Sequence, residues 1–363
     1  MTLRLGLLST ARINDAIVAA AGDVDEIEIV AVGSRDAGRA ESYARERGIA
    51  AAHGSYEALL ADGEVDAVYI PLPNGLHHEW TLAALEAGKH VLCEKPYSRR
   101  PSEVEEAFDL AERSRLVLME AFMFRHHPQA AKVKELVGEG AVGRVRVVRA
   151  TFSFVLEDME DVRMSAILDG GSLMDLGCYC VSGARYLMGE PERVIGEQVV
   201  GPTGVDSAFH GTLRFPNDVV AQFDCSFALP RYQRLDVVGD AGWLLVDAPW
   251  RTDWEGELLL RHGDHLNRIE VPPADAYALE LANFAGAAAG NAEPLLSRSD
   301  AVGPMDSGTS PGVVASAAAS AAPHGRPSAP SAGSDLSQLR AAGPGRTRSS
   351  CSGRTGRASG ARS

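Results

Sequence analysis

The feature that most restricts how this chain folds is a repeated alternation of short apolar runs with helical patterns near its start. Residues 3–8 form an apolar run ending in Ser9-Thr10-Ala11, and Ile13, Ile17, Val18 and Ala21 then recur at helical spacing up to Gly22. The unit repeats: a strand over 27–32, a helix over 37–48 closed by Gly48, a strand over 66–70, a helix over 79–88 and a strand over 90–93. Branched apolar strands separated by helices predict an α/β domain with a doubly wound parallel sheet covered by helices on both faces.

The pattern changes after residue 143. Runs at 144–154, 208–215, 219–228, 233–238, 243–246 and 257–262 are branched or aromatic and are separated by Gly, Pro, Asn or Asp, which reads as hairpin-connected strands. So many sheet edges must be paired or covered, which predicts a homo-oligomer, a dimer or tetramer, assembled through an open sheet.

The turn after the first strand is where a dinucleotide-binding fold places GxGxxG, so that bare backbone approaches a pyrophosphate at a helix N-terminus. Here it reads Ser9-Thr10-Ala11-Arg12-Ile13-Asn14, with none of the three glycines. The residues stay small or polar where a phosphate would come close, and an ordinary capped turn fits the motif equally well. At the end of the second strand an acid accepts hydrogen bonds from a ribose, whereas an arginine accommodates a 2′-phosphate. Val32-Gly33-Ser34-Arg35-Asp36 puts Ser34 in the acid's place with Arg35 next to it, which favours NADP over NAD, while Asp36 pulls the other way.

Charge narrows the function classes. The 363 residues carry 35 basic and 49 acidic side chains, a net charge of −14, which repels phosphate backbones and anionic lipid. Nucleic acid and membrane partners are therefore not expected. No apolar run reaches the 18 residues of a membrane span, and the first residues lack a cleavable signal, so a cytoplasmic location is expected. Five cysteines, Cys93, Cys178, Cys180, Cys225 and Cys351, are scattered and odd in number, which indicates neither a metal site nor a disulfide framework. Asp206 and His210 have ligand-like spacing, but in a strand-rich stretch they do not share a helical face, so no metal is expected.

Residues 302–363 stand apart. They contain 10 Gly, 13 Ser, 12 Ala, 6 Pro and 7 Arg, 48 of 62 positions, and read as a disordered low-complexity tail. The chain has four lysines against 31 arginines, the mark of a GC-rich gene, and out-of-frame reading of such a gene yields this composition. The sharper expectation is thus a frameshift after about Ala301, in place of a native helix begun by Ser299-Asp300-Ala301. A natural low-complexity tail is the other reading.

The chemistry-bearing stretches are more specific. Pro71-Leu72-Pro73-Asn74-Gly75-Leu76-His77 and Ala87-Gly88-Lys89-His90-Val91-Leu92-Cys93-Glu94-Lys95-Pro96 are followed by 119–129, MEAFMFRHHPQ, and 170–179, GGSLMDLGCY. Over residues 3–301 the chain resembles the Gfo/Idh/MocA family (glucose-fructose oxidoreductase, inositol dehydrogenase, rhizopine catabolism). The resemblance implies a Rossmann NAD(P)-binding domain over 1–123. It also implies a substrate-binding and oligomerisation α+β domain with a large, mostly antiparallel open sheet over 124–301. Cofactor contacts are then expected from Ser9, Thr10, Ala11, Arg12, Ile13, Ser34, Arg35, Pro71, Pro73, Asn74, His77, Glu94 and Lys95.

By the same resemblance Lys95 is the active-site lysine. A lysine at the C-terminal end of a parallel strand faces the cofactor crevice, where its cation polarises a substrate oxygen or lowers a neighbouring pKa. Asp175 and Tyr179 lie four apart on a predicted helix opened by Gly170-Gly171-Ser172, with Ser172 as N-cap, and so share a face. The family pattern commonly ends in histidine, DxxxH; tyrosine here resembles the dihydrodiol and xylose dehydrogenase branch, where Lys and Tyr act together. An ammonium within about 4–6 Å lowers a phenol from its usual value near 10, so Tyr179 is expected as the acid/base. Asp175 is expected to orient substrate hydroxyls or Lys95. Arg125, His126 and His127 read as structural. The expected activity is hydride transfer between NADP or NAD and the carbonyl or hydroxyl of a sugar, deoxysugar or cyclic diol. A non-catalytic NAD(P)-sensing regulator and a glycosidase using NAD transiently are the rivals. The 157–168 loop, acidic at Glu157, Asp158, Glu160 and Asp161, is expected to border the site and help set specificity.

Overall fold

The computed structural model describes residues 2–251, 253 and 256–302. The frameshift and disorder expected of the tail lie outside the described residues apart from Val302.

The front of the chain runs β1 (Leu3–Leu7), α1 (Asn14–Ala21), β2 (Ile27–Gly33), α2 (Ala37–Arg47), β3 (Ala51–His53), α3 (Tyr56–Leu60), β4 (Ala67–Ile70), α4 (His77–Glu86), β5 (His90–Glu94), α5 (Pro101–Ser114) and β6 (Leu118–Ala121). Its six strands pair all parallel in the order β3-β2-β1-β4-β5-β6. That is the doubly wound order whose strand sequence reverses between β1 and β4, and ligands bind outside the carboxyl ends of the strands there. Every side chain of β4 is fully buried, as a central parallel strand requires. Helix α2 stops where predicted, because Gly48 takes a left-handed φ of 69° at its C-cap.

The chain continues through α6 (Pro128–Gly138), β7 (Val145–Ser153), α7 (Cys178–Met188), β8 (Arg193–Val200), β9 (Asp206–Arg214), β10 (Val220–Ser226), β11 (Tyr232–Gly239), β12 (Gly242–Val246), β13 (Leu258–His262), β14 (His265–Arg268), α8 (Ala276–Ala288) and α9 (Arg298–Val302). These strands form one sheet in the order β14-β13-β12-β11-β7-β10-β9-β8, antiparallel except for the parallel β7–β10 pair. Period-2 alternation gives it two unlike faces. Phe209, Phe223, Ala150, Leu235 and Val237 are buried on one. The other is a concave surface presenting Arg149, Thr151, His210, Gln222, Arg234 and Asp236, beside half-exposed Ile195 and Tyr232. Fold and sheet types thus match the sequence expectation; β3, β6, β8 and β14 are additional strands.

Candidate active site

At the cofactor end, β1 delivers the chain into the 9–13 turn. Ser9, in the place of the first glycine, adopts φ 155°, a conformation that favours glycine. Two local bonds hold it there: its Oγ accepts from the Ala11 N–H at 3.2 Å, and its carbonyl accepts from Asn14 Nδ2 at 2.8 Å. No side chain caps α1, which leaves the helix's positive end open to an anion. Arg12 is almost fully exposed beside it. At the end of β2, the Ser34 hydroxyl accepts from the Asp36 N–H at 3.2 Å. The Asp36 carboxylate accepts from the Arg39 N–H at 2.7 Å as the N-cap of α2. The acid that opposed NADP in the sequence is therefore occupied with a helix end. Arg35 and Arg39 both bring positive charge to the Tyr56 phenol, whose pKa burial nevertheless raises. Two exposed guanidinium groups at the tip of β2 and an uncapped helix N-terminus are a donor set that fits a 2′-phosphorylated dinucleotide.

The 71–77 segment connects this end to the lysine. His77 is fully enclosed, with Nε2 2.7 Å from the Leu72 carbonyl and Nδ1 2.9 Å from the Pro96 carbonyl. Burial pushes its pKa down to about 4, so the neutral ring donates to one of the two. Both ring nitrogens face protein carbonyls, so His77 ties the end of β4 to the Lys95–Pro96 corner. Asn74 donates through Nδ2 to the Asp169 carbonyl at 2.9 Å, and Pro71 is buried while Pro73 is partly exposed.

Lys95 emerges at the end of β5. Its Nζ donates to the main-chain carbonyl of Asp175 at 3.0 Å and to Asp175 Oδ1 at 3.1 Å. An ammonium has three N–H donors, so one remains. Asp175 Oδ2 takes Arg163 Nε at 2.9 Å. Desolvation works against both ions of the Lys95–Asp175 pair, yet the mutual charge wins: the Lys95 pKa is raised well above its ordinary value and the Asp175 carboxyl is held low by Lys95 and Arg163. Glu94 Oε1 accepts from Tyr69 Oη at 2.6 Å and Oε2 from the Lys95 N–H at 3.2 Å, while burial raises its pKa. Lys95, Asp175, Tyr179 and Glu94 are thus brought together, as is Arg163, which sequence reasoning missed. The available signal was a lone cation in a loop of four carboxylates.

Three details differ from expectation. Residues 170–188 do not form one helix: Leu173–Gly177 is a π-helical turn that leads into α7. Ser172 has helical backbone angles and caps nothing. Its hydroxyl donates to Asp206 Oδ2 at 2.6 Å, and the same oxygen accepts from the Leu173 N–H at 2.7 Å, so the carboxylate serving this helix start comes from β9. Finally, the Tyr179 phenol is not lowered. Its hydroxyl points to Met123 Sδ at 3.8 Å. Phe122 and Phe152 each lie 5.4 Å from its ring, and Phe124 lies 5.8 Å away. The Lys95 ammonium sits over its ring, 4.8 Å from the centroid. Burial therefore overrides the cation and raises the Tyr179 pKa well above its usual value. The site holds a neutral phenol, an ammonium and a carboxylate.

The remaining candidates serve the fold. Arg125 pairs with Asp300 at 3.2 Å and lies over the Tyr186 ring, and His127 Nδ1 accepts from the Gln129 N–H at 3.1 Å to cap α6.

A doubly wound sheet with a phosphate-ready turn at its switch point, joined to an open-sheet domain whose π-helical turn and α7 supply a carboxylate and a phenol to a strand-end lysine, defines an NAD(P)-binding oxidoreductase. Residues 6–122 match the oxidoreductase family with an NAD-binding Rossmann fold, and residues 130–245 match the GFO/IDH/MocA C-terminal domain; the chain belongs to this family. It is 40% identical over 307 residues to a D-xylose 1-dehydrogenase (NADP(+)) of Haloferax volcanii, covering 84% of this chain and 94% of that one. It is 33% identical over 252 residues to the trans-1,2-dihydrobenzene-1,2-diol dehydrogenase of Danio rerio, covering 68% and 75%. Among solved structures, KijD10, a 3-ketoreductase from Actinomadura kijaniata in complex with NADP and TDP-benzene, superposes with a TM-score of 0.77 at 30% identity, covering 83% and 94%.

Proposed function

We propose that this oxidoreductase interconverts a carbonyl and a hydroxyl on an uncharged sugar or cyclic diol, with NADP preferred, and that Lys95, Tyr179 and Asp175 carry the chemistry. The observation that carries this reading is the Lys95 ammonium, which donates to two oxygens of Asp175 with its third N–H unassigned, above the ring of a neutral tyrosine. When bound, the nicotinamide coenzyme supplies or accepts the hydride. Ser9, Thr10, Ala11, Arg12 and Ile13 would hold its phosphates at the open end of α1. Ser34 and Arg35 would hold the 2′-phosphate, and Pro71, Pro73, Asn74 and Glu94 would line its path to Lys95. Lys95 donates to the reacting oxygen and polarises it, Tyr179 holds the proton that oxygen receives, and Asp175 keeps the ammonium in place.

Removing one arginine tests the phosphate assignment. Arg35→Ala is expected to raise the NADPH KM about ten- to hundredfold, the worth of one charge-assisted hydrogen bond, and to leave the NADH KM within about twofold. Equal loss for both coenzymes would contradict it.

The 157–168 loop supports an uncharged substrate. Glu157, Asp158 and Glu160 are exposed, and among the described residues none of them forms an ion pair. They immediately precede Asp161, which lies against Arg12 and Arg163. Two charges at about 10 Å in water cost roughly 0.4 kcal/mol per like pair before screening, so the two charges of a diphosphate facing three carboxylates cost about 2.4 kcal/mol, roughly 60-fold in affinity before salt reduces it. In an assay of aldoses, cyclic diols and a dTDP-linked ketosugar with NADP(H), kcat/KM is expected to be higher for the uncharged substrates. A preference for the nucleotide-linked one would overturn the substrate assignment, and coenzyme binding without turnover of any would favour a sensor.

Exposed Ile195, Val199 and Tyr232 on the uncovered sheet face support assembly into a homo-oligomer through that surface. No described helix is long and apolar enough to cross a membrane, and Cys93, Cys178, Cys180 and Cys225 are free thiols, which supports a cytoplasmic location. We place the domain boundary at residue 123, between β6 and β7.

A further inference from the structure

We propose that Arg163 is a positioning residue of the active site: by fixing one edge of the Asp175 carboxylate it keeps the Lys95 ammonium aimed with a single N–H toward the substrate oxygen. The inference rests on the assignment of Lys95 and Asp175 above and adds a residue that no part of that assignment requires.

Asp175 bridges two cations through different oxygens, Oδ1 to Lys95 Nζ at 3.1 Å and Oδ2 to Arg163 Nε at 2.9 Å. A carboxylate held at one oxygen only rotates about χ2, a soft terminal torsion, and its hold on the ammonium rotates with it. Arg163 stops that rotation, and it is itself held in place. Asp161 accepts from the Arg163 main-chain N–H at 3.0 Å and from its Nη1 at 3.3 Å. The Arg163 carbonyl accepts from the Gly171 N–H at 2.8 Å, and a Cβ on Gly170 would collide with that same oxygen. Gly170 thus makes room for the arginine's backbone, while a Cβ on Gly171 would meet the Asp206 carboxylate. At the far end, Arg12 of the coenzyme turn stands 3.9 Å from Asp161, so charges of alternating sign run from that turn to Lys95.

The charge balance has a consequence that a merely structural arginine would not have. The ionisable groups around Asp175 are Lys95 and Glu94 at the end of β5, Arg163 from the loop, and Cys178 and Tyr179 on α7. Only the first and third are cationic. Loss of Arg163 leaves the partly buried Asp175 with one cation instead of two, so its pKa rises and the acid limb of kcat/KM moves to higher pH.

Three variants test this. Arg163→Ala is expected to lower kcat about ten- to hundredfold with a smaller change in substrate KM, and to shift the acid limb upward. Arg163→Lys restores part of kcat, because it keeps the charge and loses the fixed fork. Asp161→Asn is expected to give a milder loss of the same kind. A second readout does not need turnover. The chain has four lysines, so the Lys95 Cε resonance in lysine-labelled protein can be assigned with Lys95→Ala. That resonance is expected to move toward an exposed-lysine position in Arg163→Ala and to stay in Arg163→Lys. An unmoved resonance in folded Arg163→Ala overturns the proposal, as does unchanged kcat with an unshifted acid limb. If Lys95→Ala itself keeps full turnover, the catalytic assignment fails, while the resonance still reports whether Arg163 holds the lysine.

Discussion

Lys95→Ala is expected to lower kcat about 10³-fold while leaving the NADPH dissociation constant within about twofold. Positioned electrostatic groups supply roughly 10²–10³ in rate, and Lys95 both polarises the reacting oxygen and orders the residues around it. The variant should fold. Asp175, the partner left behind, retains Arg163 at 2.9 Å, so the truncation leaves no uncompensated buried carboxylate, the usual cause of collapse when half an ion pair is removed. Lys95→Arg is not a rescue, because a planar guanidinium cannot make the two bonds to Asp175 and aim a third donor along the same line. Steady-state kinetics and a fluorescence titration with NADPH check the two halves separately. A loss of coenzyme affinity matching the loss of kcat would move Lys95 from chemistry to binding.

Tyr179→Phe is the second large effect, with a fall in kcat of about 10² and little change in thermal stability. The phenol's only described hydrogen bond is a long one to Met123 Sδ at 3.8 Å, so its removal costs the fold little, whereas the ring remains to pack against Phe122, Phe152 and Phe124. Burial raises the Tyr179 pKa, and the ion pair raises that of Lys95. Both groups therefore stay protonated through the neutral and mildly alkaline range. Deprotonation of either is the event that would produce an alkaline limb, so the wild-type reduction rate should show none below about pH 10. A limb near pH 7–8 that disappears in Tyr179→Phe would show a phenol lowered by its cation instead.

Four of the six strands of the front sheet were legible because they announce themselves locally: residues 3–7, 27–33, 67–70 and 90–94 are mainly apolar and are closed by Gly or polar turns. Strand β8 was not, because its residues alternate between exposed and half-buried and so lack a core stripe. Strands β3 and β14 have three and four residues and gain their structure from a neighbour. Within the site, Lys95, Asp175 and Tyr179 were legible from motif and spacing. The environment of Tyr179 was not, since Phe122, Phe152 and Trp250 converge on it from three separate stretches of chain, and this is what reversed the sign of its pKa shift. The 2′-phosphate question turned on Asp36, whose use as a helix cap depends on backbone geometry that composition does not record. Arg163 lay hidden among acids and acquired meaning only when Asp175 was found between it and Lys95.

The most direct test of the claim that an ammonium and a phenol act as one unit is a double-mutant cycle on single-turnover coenzyme oxidation, comparing Lys95→Ala, Tyr179→Phe and the double variant with wild type. Groups that act together are strongly non-additive, so the double variant should react about as slowly as the slower single one. Losses that multiply, or two single variants that react at the wild-type rate, would contradict it.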